Sequence, residues 1–332
     1  MDRHRALGVG LVLIAGASFA SGSIFATLAY DAGLDWLTVM WWRFLIGASA
    51  AWLWVLASPG RRAALRRMPR RQLVVALSLG AVYTGNAGTY YAGIETVPAA
   101  LAGVLVYIYP VFVALLSLRF ATRLPGRRPW IALGLAILGV VLALGGLDLT
   151  AGGDAVPVDG LLLILASAAI YSVWIVLSAR LSGERRDRLG QDAPSADGAA
   201  GDAAVTTALM MVATATVFGV LALALGRSLA PAAVPGAAWP FLVGIGLVAS
   251  FLAIQSLYAG ARRVGAAQAA LISTTEPLFI VVLAYLVLDQ TLAPIQLLGA
   301  ALILVGVVIA QTSPRPRGAP EPATPLDAEV EG

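Results

Sequence analysis

Glu276 and Arg43 are ionisable side chains set inside long apolar runs, the first followed by Pro277 and the second by Phe44. Glu276 falls about ten residues into its run, near mid-membrane at about 1.5 Å of rise per residue and about 20 Å from the end marked by Asp289. Arg43 lies about 10 Å below the boundary marked by Asp35 and Trp36 on the same rise. An ionised group in hydrocarbon is expensive, and such residues usually face a bundle interior or a wet cavity on an ion or proton pathway. Glu276 could therefore exchange a proton, and the planar donor fork of Arg43 could grip a carboxylate. Each also has a structural reading. Glu276 could satisfy backbone donors at the turn made by Pro277 or pair with Arg43, and Arg43 could snorkel to the outer headgroups.

Polar and aromatic residues gather on particular runs. Tyr83, Asn86 and Tyr90 are spaced to share one helical face, and a polar stripe is out of place in lipid, so it should turn inward. Tyr107, Tyr171, Trp174 and Gln255 belong to the same set, with Ser18, Ser21, Ser23, Tyr258 and Ser273 to Thr275 around them. Taken singly, each could be an ordinary interhelical hydrogen bond. Taken together, they suit the wall of a binding cavity. The candidate substrate-binding or coupling residues are thus Glu276, Arg43, Tyr83, Asn86, Tyr90, Tyr107, Tyr171, Trp174 and Gln255. No metal centre or cofactor is expected, because the chain has no cysteine and its one histidine is His4, near the N-terminus. An intramembrane enzyme is the main rival class, but it is not expected, since the spans hold no paired aspartates, no histidine and no cysteine to do chemistry.

The elements that must hold these side chains follow from composition. The chain is 59% hydrophobic and 12% charged, against roughly 25% charged in a soluble domain. Uncharged stretches recur at about the 20 residues that cross a bilayer core. They predict an all-α polytopic membrane protein with ten spans, near 6–30, 36–57, 72–92, 98–118, 129–147, 159–181, 203–225, 239–260, 266–288 and 294–311. All the basic residues are arginines. All except Arg43 and Arg227 fall in the tails, loops and span ends of one side: before the first span, and after the second, fourth, sixth, eighth and tenth. Positive short loops stay in the cytoplasm, so both termini are expected there. Arginines so dispersed are no nucleic-acid footprint. The loop 182–202 and the tail 313–332 lack apolar periodicity and read as solvated linkers.

An internal repeat organises the spans. The offset that carries Tyr91-Ala92-Gly93 onto Tyr258-Ala259-Gly260 also carries Val97 onto Val264, Pro110 onto Pro277, Phe112 onto Phe279 and Gly139-Val140-Val141 onto Gly306-Val307-Val308. Spans three to five thus correspond to spans eight to ten, which gives five-helix repeats at 6–147 and 159–311. Glu95 falls outside and its counterpart Arg262 inside, so the repeats are inverted, an architecture that secondary transporters use with a site near the midplane. The helix-packing residues Ala99, Ala102 and Gly103 are echoed by Ala266, Ala269 and Ala270.

These residues carry a family resemblance over roughly 6–311. Gly16-Ala17-Ser18-Phe19, Arg43-Phe44, the stretch from Tyr91-Ala92-Gly93 to Pro110, Trp174, and Tyr258-Ala259-Gly260 leading to Glu276-Pro277 stand in the order found in the EamA-type permeases of the drug/metabolite transporter superfamily. One departure is that Tyr109, not a carboxylate, precedes Pro110, which leaves any carboxylate role to the second half. The resemblance implies a multi-pass protein of the bacterial inner membrane that moves a small molecule, with export of amino acids or related metabolites favoured; from its place deep in an apolar run, Glu276 is expected to be the carboxylate that couples transport to protons or grips the substrate. A multidrug or lipid-linked metabolite transporter or flippase is the alternative. The oligomeric state is left open.

Overall fold

A computed structural model describes residues 3–118, 127–144, 156–181 and 202–311. The long uncharged runs become helices because only a helix satisfies every backbone N–H and C=O internally where water is absent. In chain order these are α1 (Arg3–Asp31), α2 (Trp36–Ala57), α3 (Pro59–Arg67), α4 (Arg70–Gly93), α5 (Ala99–Val106), α6 (Tyr109–Leu118), α7 (Arg128–Leu144), α8 (Val158–Leu181), α9 (Ala203–Ala224), α10 (Trp239–Gly246), α11 (Ala253–Val264), α12 (Ala266–Ser273), α13 (Glu276–Leu288) and α14 (Pro294–Gln311). No strand occurs among the described residues. Six helical stretches are long and apolar enough to cross a membrane, and Ala99–Val113, Trp130–Leu144 and Pro294–Ile309 are shorter apolar helices. Local chemistry sets several ends. The Asp35 carboxylate accepts from the N–H groups of Leu37 and Thr38 at the start of α2, and Asp202 accepts from Ala204 at the start of α9. Asp289 closes α13 in the left-handed region, at φ 54°.

Helical segments stand at all ten expected places, but three of the expected spans are not continuous α-helices. The fourth breaks at Tyr107 and Ile108, and the ninth at Thr274 and Thr275. Proline has no N–H to give the carbonyl four residues back, so Pro110 and Pro277 open both helices at repeat-equivalent positions. Even the hydrogen bonds of the breaks repeat. Tyr107 N donates to Val104 O as Thr274 N does to Leu271 O, Ile108 to Leu105 as Thr275 to Ile272, and Val111 to Ile108 as Leu278 to Thr275. The eighth span contains a π-helical segment, Leu247–Leu252, between α10 and α11. Its counterpart in the first repeat is regular helix within α4, so this wide turn is an asymmetry between the halves. The short helix α3, with Arg61, Arg62, Arg66 and Arg67, was not expected as an element. The loop 182–202, apart from Asp202, the tail 313–332 and the expected end of the fifth span at 145–147 lie outside the described residues.

The two-repeat fold shows in the packing. α1 runs along α11 and α13, and α8 runs along α4 and α6, so each repeat lends its first helix to the other. The crossings match in detail. A Cβ on Gly93 of α4 would lie 2.9 Å from Gly160 O on α8, and a Cβ on Gly260 of α11 would lie 2.9 Å from Gly8 O on α1. Close backbone approach of this kind is what small residues permit where lipid offers no hydrophobic drive between helices. α7 and α14, the last helices of the repeats, pack against each other through Gly139, Gly299 and Gly306. The largest buried cluster draws residues from both halves, including Met40, Leu101, Leu105, Ile164, Phe218, Leu242, Ile245 and Ile303.

Candidate functional site

Arg43 projects from α2 into the interior, with 7% of its surface exposed. Its Nε donates to Ser250 Oγ at 2.8 Å, and Ser250 Oγ donates in turn to Ile245 O, five residues back, at 3.0 Å. The π segment therefore supplies the group that orients Arg43. The guanidinium carbon lies 4.7 Å from the centroid of the Tyr91 ring and 5.2 Å from that of Phe44, where ring faces attract a cation. Its Nη1 is buried with no hydrogen-bond partner among the described residues. The ion pairs among those residues, Arg227 with Asp35 and Arg61 with Asp202, lie outside the spans. Arg43 thus neither snorkels to the headgroups nor pairs with Glu276.

Glu276 is the first residue of α13, half-buried at the break of the ninth span. Tyr107, in the break of the fourth span, donates its hydroxyl to Glu276 Oε2 at 2.9 Å, and the Tyr107 hydroxyl oxygen also lies 3.1 Å from the carbonyl oxygen of Ser273. The two breaks therefore meet. At the repeat position of Glu276 stands Tyr109, which gives the site one carboxylate and a phenol where a symmetric pair would have had two acids.

Between the two charges runs a continuous row of rings. Centroids are 5.6 Å apart from Tyr107 to Tyr109, 4.8 Å from Tyr109 to Tyr171, 5.8 Å from Tyr171 to Trp174, 5.4 Å from Trp174 to Tyr83 and 6.2 Å from Tyr83 to Phe44. Phe44 leads to Arg43, whose other ring neighbour, Tyr91, lies 5.2 Å from Tyr90. Most contacts are edge-to-face, and Tyr171 and Trp174 stack in parallel, arrangements that aromatic quadrupoles favour. Trp174 is fixed by donating Nε1–H to Leu79 O at 2.9 Å, and the Tyr90 and Ser23 hydroxyls are 3.1 Å apart. Four helical elements and a break contribute: α2, α4, α6, α8 and the turn between α5 and α6.

Of the residues singled out from sequence, Arg43, Tyr83, Tyr90, Tyr107, Tyr171, Trp174 and Glu276 thus fall on one connected wall. Asn86 does not. Its amide donates to Ser167 O and Ser167 Oγ, at 3.1 and 2.9 Å, and Ser167 Oγ returns a bond to Asn86 O, so it clasps α4 to α8. Gln255 is half-buried on α11. Sequence reasoning missed Ser250, Tyr91, Tyr109 and Phe44 as members of the site. Tyr109 was signalled by its repeat equivalence to Glu276, and Tyr91 and Phe44 by their neighbours. Ser250 carried no signal, because nothing in the sequence around it announces the π segment.

The sequence matches the EamA-like transporter family over residues 6–145 and 198–312. Among its relatives, the uncharacterized transporter YcbK of Bacillus subtilis is 27% identical over 311 residues, or 90% of each chain. An uncharacterized transporter of Archaeoglobus fulgidus is 24% identical over 303 residues, 91% of this chain and 96% of its own length. A solved crystal structure of a protein superposes with a TM-score of 0.59 at 20% identity, covering 91% of this chain and 96% of that one, a likeness of fold.

Proposed function

The chain belongs to the EamA-like transporter family and is a multi-pass membrane transporter, and from its site we propose that it exports amino acids or related metabolites across the bacterial inner membrane by alternating access. The observation that carries this reading is that Arg43 and Glu276, inside expected spans and without an ion-pair partner among the described residues, stand at the two ends of one aromatic wall. Arg43 holds a carboxylate of the substrate through Nη1, its Nε being engaged by Ser250. Glu276 receives the substrate's ammonium group or the coupling proton, and the rings between them exclude water and cover the body of the ligand.

Ten spans with both termini in the cytoplasm are part of this proposal, as are repeats bounded near 6–147 and 159–311. Because α1 packs on α11 and α13 while α8 packs on α4 and α6, the bodies that rock are composite, each containing the first helix of the other repeat. On this reading the irregular backbone of the two breaks lines the substrate path, the position in which transporters tolerate it.

Transport in proteoliposomes loaded with a mixture of amino acids and metabolites, with and without an imposed pH gradient, tests the proposal. The expected result is gradient-dependent loss of one amino acid that Glu276→Gln abolishes. If Glu276→Gln transports as the parent does at every pH, Glu276 is not the coupling group. Flux of a neutral or cationic compound that survives Arg43→Ala would support the multidrug reading, which needs only the rings and Glu276.

A further inference from the structure

Tyr107 has one hydroxyl hydrogen and two acceptors within reach, Glu276 Oε2 at 2.9 Å and Ser273 O at 3.1 Å. Ser273 O is short of a donor for a covalent reason: the residue four positions on is Pro277, which has no N–H. Buried carbonyls are rarely left unpaired, and in a dry interior an unmade bond is expensive.

We propose that Tyr107 is a positioning residue that reads the protonation state of Glu276 and transmits it to the break of the ninth span. The proposal rests on the reading of Glu276 as the coupling carboxylate. When Glu276 is neutral, its carboxyl O–H donates to Tyr107 Oη, and the phenol hydrogen is free to turn to Ser273 O, so that the carboxyl, hydroxyl and carbonyl form one satisfied chain. When Glu276 gives up its proton to water, the phenol hydrogen turns to the carboxylate, where a charge-assisted bond is the stronger one. Ser273 O then loses its donor and the α12–α13 junction loosens. No covalent bond forms or breaks apart from the O–H bond of Glu276, and the proton leaves to the side on which the site is open.

The surroundings keep the switch clean. The ionisable groups that face Glu276 are phenols, Tyr107 and Tyr109, with Tyr171 of α8 and Tyr83, Tyr90 and Tyr91 of α4 behind them. Among the described residues, α1, α11, α12 and α14 bring no charged side chain to the carboxylate; Arg5 of α1 reaches Gln268 on α12 instead. The Thr274 and Thr275 hydroxyls are committed to Leu271 O and Ile272 O, so neither replaces Tyr107 at Ser273. The first repeat has no such device, since Thr274 stands at the position equivalent to Tyr107 and Tyr109 at that of Glu276.

Hydrogen–deuterium exchange of the full chain in lipid nanodiscs, followed across Leu271–Phe279 and corrected for the intrinsic pH dependence of exchange, tests this without a substrate. In the parent, protection of this segment should fall about fivefold as pH rises through the titration of Glu276, the loss expected for one hydrogen bond. Glu276→Gln, whose amide can donate to Tyr107 at any pH, should stay protected throughout. Tyr107→Phe should be poorly protected and insensitive to pH while the rest of the chain exchanges as before. A parent whose protection ignores pH, or a Tyr107→Phe variant that keeps the parent's pH response, overturns the proposal. A pH-dependent break in a protein that carries no amino acid would leave the latch standing and refute the transport reading alone.

Discussion

Ser250→Ala isolates the contribution of the π segment to the site. The substitution removes the acceptor 2.8 Å from Arg43 Nε without touching a charge, and Nη1 of the same guanidinium already lacks a partner among the described residues. A hydrogen bond to a charged group contributes roughly 1.5–3 kcal/mol. At about 1.4 kcal/mol per tenfold, that corresponds to a change of roughly 10- to 140-fold in the equilibrium it supports. If Arg43 holds the substrate, much of that loss appears as a KM raised about tenfold or more, with kcat little changed, because the substrate must now order a guanidinium that Ser250 had ordered in advance. Proteoliposome kinetics measure KM and kcat, and thermal unfolding in detergent measures any general loss of stability. Arg43→Lys keeps the charge but not the fork, so it should show a similar rise in KM, and adding Ser250→Ala to it should add little. A Ser250→Ala protein with both KM and Tm of the parent would refute this account of how Arg43 is held. Fully additive effects with Arg43→Lys would do the same.

Other substitutions separate scaffold from site. Gly93→Ala and Gly260→Ala should destabilise by similar amounts, about 1–3 kcal/mol each, since each forces a Cβ to 2.9 Å from a carbonyl oxygen across an equivalent crossing; unequal losses in denaturant titrations would argue against the equivalence. Asn86→Ala should lower Tm through the lost clasp to Ser167 and leave KM unchanged, and a selective rise in KM would return Asn86 to the binding wall. Glu95 lies in the loop between α4 and α5, where partial burial and the nearby Asp35 push its carboxyl above the ordinary value, against the opposing effects of a hydrogen bond from the Trp36 backbone and of Arg227. A carboxyl raised in the folded state favours folding most below its unfolded pKa, and that stability is lost as pH rises through the folded value. Glu95→Gln should accordingly gain stability relative to the parent above that window and not below it, by a small margin because Glu95 is exposed; thermal unfolding at acidic and neutral pH measures the difference.

The helical class was legible because about ten apolar runs of spanning length leave a chain few alternatives, and the repeat was legible because Tyr-Ala-Gly, Pro and Gly matches hold one offset across three spans. Both charges at the site could be found from sequence, since an ionisable residue in an apolar run is conspicuous. Their separation could not: the depth estimate allowed a direct pair, and only packing shows Arg43 taken by Ser250 and Glu276 by Tyr107. The breaks were half-legible. Pro110 and Pro277 mark the missing donors, but a proline within an apolar run is compatible with a mere kink, and the hydrophobic pattern continues straight through. Periodicity places Asn86 on a face with Tyr83 and Tyr90 but cannot tell that Ser167 waits across from it. The π segment had no sequence signal, because Leu247–Leu252 reads as an ordinary apolar helix.

The exchange of first helices bears on how the protein is made. α1 is synthesised well before α11 and α13, the helices it packs against. Its partner face, where Val12 meets Gly260 of α11 and Gly16 meets Phe279 of α13, must therefore wait until those helices are inserted. That packing of α1 can thus form only once the second half is in place. Halves synthesised as separate polypeptides should be degraded when alone and rescue each other when made together, whereas a chain cut short before α11 should expose α1 to membrane quality control.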